Sequence, residues 1–251
     1  MDLALEGKRA IITGGSRGIG KQIAWKLALE GVDVAIAARG REALEVTAKE
    51  IQAGTGRKIV PLVVDMRDDA SVDSMTASAA QELGGIDILV NNAAVPGGRK
   101  VASIEDMRVP ELLEDINIKV GGYLRAARSV TPYMVASGWG RIINIGGLAA
   151  RLSGNYNAAI RSASISALTK NLADELGQKG IVAVAIHPGA MLGVNMNPEL
   201  EKRFAAASSN GKLFDSSAIA WLVTILSSPH SIALNGETLQ AGGGIKGFIN
   251  Y

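Results

Sequence analysis

The chain has 251 residues, 47% of them hydrophobic but only 4% aromatic, and carries 26 basic against 24 acidic side chains for a formal charge of +2. With no cysteine and only two histidines, His187 and His230, disulfides and thiolate chemistry are excluded and a histidine-clustered metal site is disfavoured. Neither sign of charge forms a block and no apolar run approaches the roughly 18 residues of a membrane span, so neither nucleic acid nor membrane is expected as a partner.

Residues 1–8 include acidic side chains and no apolar stretch, which reads as a cytoplasmic protein without a leader. Apolar, β-rich segments then alternate with segments of helical period, the pattern of a parallel sheet with crossover helices. A strand at 9–13 runs into Thr13-Gly14-Gly15-Ser16-Arg17-Gly18-Ile19-Gly20, which opens a helix at 18–30. Gly14 suits the tight turn, Gly18 the approach of a pyrophosphate, and Gly20 close helix packing, with free amides at the helix N-terminus. A strand at 32–37 and helix at 41–53 follow, then a strand at 59–64 with a helix at 69–83, and a strand at 86–90 with one long helix at 110–137. Strands at 141–145, 181–187 and 237–240 and helices at 157–179 and 216–227 complete seven strands around one core. The polar segment 192–213, after the sixth strand and outside any regular helix, is the expected substrate lid.

The phosphate loop, Asn91-Asn92-Ala93-Ala94 after the fourth strand, Asp65 after the third, His187-Pro188-Gly189 after the sixth, and Gly236 with Gly242-Gly243 resemble, in this order, the short-chain dehydrogenase/reductase family over the whole chain. The resemblance implies a Rossmann-type, doubly wound, three-layer α/β/α single domain that binds a nicotinamide dinucleotide. It assigns cofactor contacts to Gly14, Ser16, Arg17, Gly18, Ile19, Gly20, Arg39, Asp65, Met66, Asn92, Ala93, Pro188, Gly189 and Met191. A carboxylate at the end of the second strand would bond a ribose 2′-hydroxyl, whereas an arginine pairs with a 2′-phosphate. Arg39 stands there and Arg17 adds a second cation, so NADP(H) is expected over NAD(H).

Members of this family typically use a Tyr as acid/base, a Lys four residues later, a Ser and an Asn. Counting back from Thr169-Lys170-Asn171-Leu172 places Ala158 and Ser162 at the Tyr and Lys positions, Gly147 at the Ser position, and Lys119 rather than Asn117 at the Asn position. All four usual groups are then missing. Tyr156 and Lys119 are the candidate substitute acids, the first as a phenol with pKa near about 10 and the second as an amine whose pKa burial would lower. Arg161 is a candidate anion anchor. Three functions stay open: reduction of a 3-oxoacyl- or ketone-like carbonyl by NADPH with a noncanonical proton donor, a regulator or scaffold that binds NADP(H) without turnover, and a lyase or isomerase. The resemblance also implies a homotetramer or homodimer built on the helices at 110–137 and 157–179, with a small-molecule substrate met by residues 96–108 and the lid.

Overall fold

β1 (Arg9–Thr13), β2 (Asp33–Ala38), β3 (Ile59–Val63), β4 (Ile88–Asn91), β5 (Gly140–Ile145), β6 (Ile181–Pro188) and β7 (Thr238–Ala241) all run parallel in one sheet, ordered β3-β2-β1-β4-β5-β6-β7. They are seen in a computed structural model of the chain that describes residues 2–95, 103–192 and 197–246. The order reverses direction between β1 and β4, and in such sheets the crevice beyond the strands' carboxyl ends is where ligands bind.

Alternation along each strand sends side chains to two apolar layers. Ala10, Ile12, Ile36 and Ile143 face α1 (Gly18–Leu29) and α8 (Ser216–Ser227) through Ile23, Leu27, Ile219 and Val223. Ile11, Ala35, Leu89 and Ile142 face α3 (Asp69–Leu83), α5 (Gly122–Ser137) and α6 (Tyr156–Leu176) through Val72, Ala126, Val130 and Leu172. The three-layer, single-domain reading therefore holds. α2 (Arg41–Thr55) packs beside α1. Asp68, Asn155 and Asp215 cap α3, α6 and α8 by accepting from amides of the first turn.

Two elements differ from expectation. The single helix at 110–137 is instead α4 (Val109–Ile116) and α5 joined by a π-helical turn, Asn117–Gly121. The segment at 192–213 is not wholly irregular, because Asn197 accepts from the Leu200 amide at 2.8 Å and starts a helix, α7 (Pro198–Ala207), with no buried residue. The ends of this segment are drawn together by a parallel bridge between Met191 and Phe214. Residues 193–196 of it lie outside the described residues, as do residues 96–102 of the expected substrate loop.

Beneath the site, a buried polar chain links β4, β5 and α6. Asn91 Nδ2 donates to Asn144 Oδ1 at 2.9 Å, and Asn144 Nδ2 donates to Thr169 Oγ1 at 2.9 Å. Thr169 passes its own proton to Ile165 O at 2.7 Å. Removing the middle member leaves two buried polar groups short of a partner, so Asn144→Ala is expected to cost about 1–3 kcal/mol in urea unfolding. A midpoint unchanged from the parent would contradict this chain of bonds.

Candidate active site

At the end of β1 the backbone turns through Gly14 at φ +69°, and Gly14 N donates to Ala37 O at 2.7 Å. Gly20 packs so closely beneath the turn that an added Cβ would collide with the Gly14 carbonyl and come 2.7 Å from Asn92 Nδ2. Gly18, at φ +56°, is the opposite case: an added Cβ would meet nothing within 4 Å, so its backbone is bare on that side. α1 begins there with Arg17 as N-cap and no side chain capping its amides. Bare backbone, uncapped amides and the positive end of the helix dipole together form a cradle that fits a pyrophosphate.

Asn92 and Ala93, expected at the cofactor, also hold this loop in place. Their backbone amides donate to Thr13 Oγ1 at 3.0 and 3.1 Å, and Asn92 Nδ2 donates to the carbonyls of Thr13 and Gly14, both at 3.1 Å. The two cations read from sequence, Arg17 and Arg39, are exposed, and among the described residues neither side chain makes a hydrogen bond or a salt bridge, although the Arg39 charge helps to hold the Asp65 pKa down. Asp65 is more occupied than expected. Arg67 grips its carboxylate through Nε at 3.0 Å and Nη2 at 2.6 Å, reaches Glu114 at 3.2 Å, and holds the Asp65 pKa down at about 2. Arg67 was not anticipated, although a basic residue two positions after an acid in a turn was there to read. Met66 is buried against Gly122, where an added Cβ would come 2.9 Å from the Met66 Cβ.

The ends of β5 and β6 carry the most unusual chemistry. Lys119, on the π-helical turn, is buried and donates from Nζ to Gly146 O at 2.9 Å. The same peptide group, on its other side, donates from Gly147 N to His187 Nδ1 at 2.8 Å. Because a backbone amide can only donate, Nδ1 must be the unprotonated nitrogen. The proton therefore lies on Nε2, which donates to Ser166 Oγ at 2.8 Å. Burial, helped by the nearby Lys119 and Arg151 charges, pushes the His187 pKa down to about 4, so the ring stays neutral. The ring also occupies the space where a Gly146 Cβ would project. Pro188 and Gly189 follow directly at the β6 end. Gly189 N donates to Ala241 O at 3.0 Å, and Met191 is buried beyond it.

Burial, then the Arg161 charge, lowers the Lys119 pKa to about 7, with Asp115 acting against them. Arg161 is itself buried, paired with Asp115 at 2.7 Å and donating to Val95 O at 3.2 Å. Asn117, the other candidate on this turn, is used by Arg125, whose Nη2 donates to its Oδ1 at 2.9 Å. Gly147 and Ser162 adjoin, since a Cβ on Gly147 would sit 3.2 Å from the Ser162 hydroxyl. Tyr156 is the first residue of α6, is 45% exposed, and no hydrogen bond joins its phenol to this cluster among the described residues. The structure thus gathers Lys119, Gly147, Ser162, His187 and Arg161. The roles of His187, Ser166 and Asp115 were missed. The hint available was the pair Gly146-Gly147, which needs a bulky neighbour to explain it.

The depressed Lys119 pKa has a consequence for stability, in surroundings whose other charged or titratable groups are Arg161, Asp115, His187 and Tyr123. The folded value, about 7, lies below the ordinary 10.5, so between these values the unfolded chain binds the extra proton and stability rises with pH. Replacing Lys119 by Met removes that slope together with a pH-independent hydrogen bond. Thermal melts of parent and Lys119→Met are therefore expected to change relative order in the parent's favour as pH rises from 7 towards 10. A constant difference across that range would show that the amine is not held neutral by the fold.

Comparison with known proteins follows the same lines. The family model described as short chain dehydrogenase matches residues 8–204. The short-chain reductase protein NovJ of Streptomyces niveus is 33% identical over 94% of this chain and 92% of its own. The 3-oxoacyl-acyl-carrier-protein reductase of Vibrio harveyi is 32% identical over 96% of this chain and 98% of its own. Among solved structures, a 7α-hydroxysteroid dehydrogenase complexed with NADH and 7-oxo glycochenodeoxycholic acid superposes with a TM-score of 0.91 at 30% identity, covering 99% of this chain and 98% of that one. The family model and these relatives match most of the chain's length, and the chain belongs to the short-chain dehydrogenase family of oxidoreductases.

Proposed function

We propose that this chain is an NADPH-dependent reductase of a 3-oxoacyl- or ketone-like carbonyl in which Lys119 supplies the proton. The observation that carries this reading is the Lys119 ammonium itself: a buried amine at the carboxyl edge of the sheet, bonded to one carbonyl, with a pKa of about 7. A general acid works best when its pKa lies near the working pH. The Gly14–Gly20 loop, Asn92, Ala93, Pro188, Gly189 and Met191 would hold the dinucleotide, and Ser16, Ile19, Asp65 and Met66 would border it. Bound there, the reduced nicotinamide supplies a hydride to the carbonyl carbon. Lys119 gives a proton to the carbonyl oxygen and becomes a neutral amine, which still has an N–H for Gly146 O, so the site keeps its shape. His187 keeps the Gly146–Gly147 peptide from rotating away. Tyr156 then serves a subunit contact rather than the chemistry, in line with its exposure and with exposed Leu124 and Val135 on α5. A homotetramer or homodimer built through α5 and α6 would cover these side chains.

NADP(H) is preferred to NAD(H) in this reading because, among the described residues, the exposed Arg17 and Arg39 side chains have no hydrogen bond or salt bridge to give up, while no carboxylate stands at the end of β2 to repel a 2′-phosphate. The relative complexed with NADH shows that the family does not decide the point. One alternative has its own observation. Gly147, Ala158 and Ser162 offer neither phenol nor amine, which favours a regulator or scaffold that binds NADP(H) unchanged.

Absorbance loss of NADPH at high protein concentration against a carbonyl panel, with a fluorescence titration of NADPH binding, decides between them. Turnover is expected, falling as pH rises through about 7 as Lys119 loses its proton. Lys119→Met should lower it by about 10²- to 10⁴-fold, and Tyr156→Phe by no more than a few-fold. Binding without turnover across the panel would establish the regulator instead. In the same titrations Arg39→Asp should weaken NADPH far more than NADH, and equal losses would remove the cofactor preference.

A further inference from the structure

Arginine grips a carboxylate best with the edge formed by Nε and Nη2, whose two N–H bonds point the same way. Three arginines among the described residues use that edge, Arg57 meeting Asp33 Oδ1 through Nε at 3.1 Å and Nη2 at 3.0 Å. Arg9 holds Asp87 through Nε at 2.7 Å and Nη2 at 2.8 Å, and Arg67 holds Asp65 through Nε at 3.0 Å and Nη2 at 2.6 Å. Arg161 does otherwise. Both of its bonds leave from Nη1, to Asp115 Oδ1 at 2.7 Å and to Val95 O at 3.2 Å. Its Nε is buried without a hydrogen-bond partner, and among the described residues nothing bonds Nη2. Asp115 Oδ2 is likewise buried and unpartnered. A buried donor left open costs about 1–3 kcal/mol, and a charged one more, so an edge of this kind calls for a partner.

Its position narrows what that something is. Arg161 precedes Ser162, whose hydroxyl adjoins Gly147, and its Nη1 bonds the chain just beyond β4. Asp115 and Lys119 lie one helical turn apart, both buried. The buried carboxylate here, Asp115, bonds Arg161 through Oδ1 alone and faces the Lys119 amine as well. We propose that Arg161 is the substrate-anchoring residue and that the substrate is a carbonyl compound bearing a carboxylate, seated on the open Nε and Nη2 edge while its carbonyl lies towards Lys119. This rests on the reductase reading for the carbonyl, but the anion site stands on Arg161 alone. The free oxygen of Asp115 is placed to accept from a hydroxyl of the same ligand.

The test is calorimetric binding of 2-oxobutyrate and 3-oxobutyrate, each against its carboxamide, to the full chain loaded with NADP+, which cannot reduce them. At least one acid is expected to bind ten-fold or more tightly than its amide. The preference should vanish in the paired variant Arg161→Gln with Asp115→Asn, which leaves neither charge buried alone, and should survive in part in Arg161→Lys. Acid and amide binding alike, as when a buried water fills the edge, would overturn the proposal. So would no binding of either, or a preference that outlives the paired variant. Companion assays with NADPH keep the two readings apart. Acid binding without NADPH consumption would sink the reductase and leave the anion site standing, whereas turnover of neutral ketones with no preference for acids would do the reverse.

Discussion

Where a parallel sheet stops, its last carbonyls and amides lose their ladder partners, and each must be bonded by something else or pay for its isolation. This constraint organises the carboxyl edge of the molecule. At β1 and β4 the solution is Thr13 and Asn92, which bond across the switch point and in doing so fix the phosphate loop. At β5 it is a single peptide group bonded on both sides, with Lys119 on the Gly146 oxygen and His187 on the Gly147 nitrogen. The groups that end the sheet are therefore the groups that form the site.

Electrostatics then sets the character of that site. Lys119 and Arg161 are buried within reach of each other's charge, and among the described residues Asp115 opposes them. In low dielectric a lysine so placed gives up its proton more easily than one at the surface. The same surroundings keep His187 neutral, and its tautomer is decided by a backbone amide that can only donate. The π-helical turn contributes by inserting into the α4–α5 run the turn on which Lys119 sits, a feature that helices often show at functional sites.

Much of the architecture was legible because it rests on local rules. Seven apolar segments each too short for a helix, separated by helical periods, permit little besides a parallel sheet, and Gly14, Gly18 and Gly20 announce a turn into a helix N-terminus. The misreadings have equally local causes. The stretch at 110–137 keeps its helical period through Asn117–Gly121, so nothing in the pattern betrays the wider turn. At 192–213 the apolar spacing is weak, and α7 forms from its cap and first-turn acids while burying no residue. Asp65 was read as a cofactor contact, and its pairing with Arg67 was not foreseen because that depends on a turn that brings position 67 back over position 65.

The sequence by itself determined the fold class and the place of the glycine-rich loop between β1 and α1, and it singled out Lys119, Arg161 and Gly147, since period, turn chemistry and order along the chain are local. Only the tertiary structure decided what those residues do together. Lys119, Gly146, Arg161 and His187 come from separate parts of the chain, and their burial and their shared peptide exist only once β5, β6, α6 and the π-helical turn are packed against one another. Distances between side chains far apart in sequence are set by packing, and packing leaves no periodic trace in the residues it brings together.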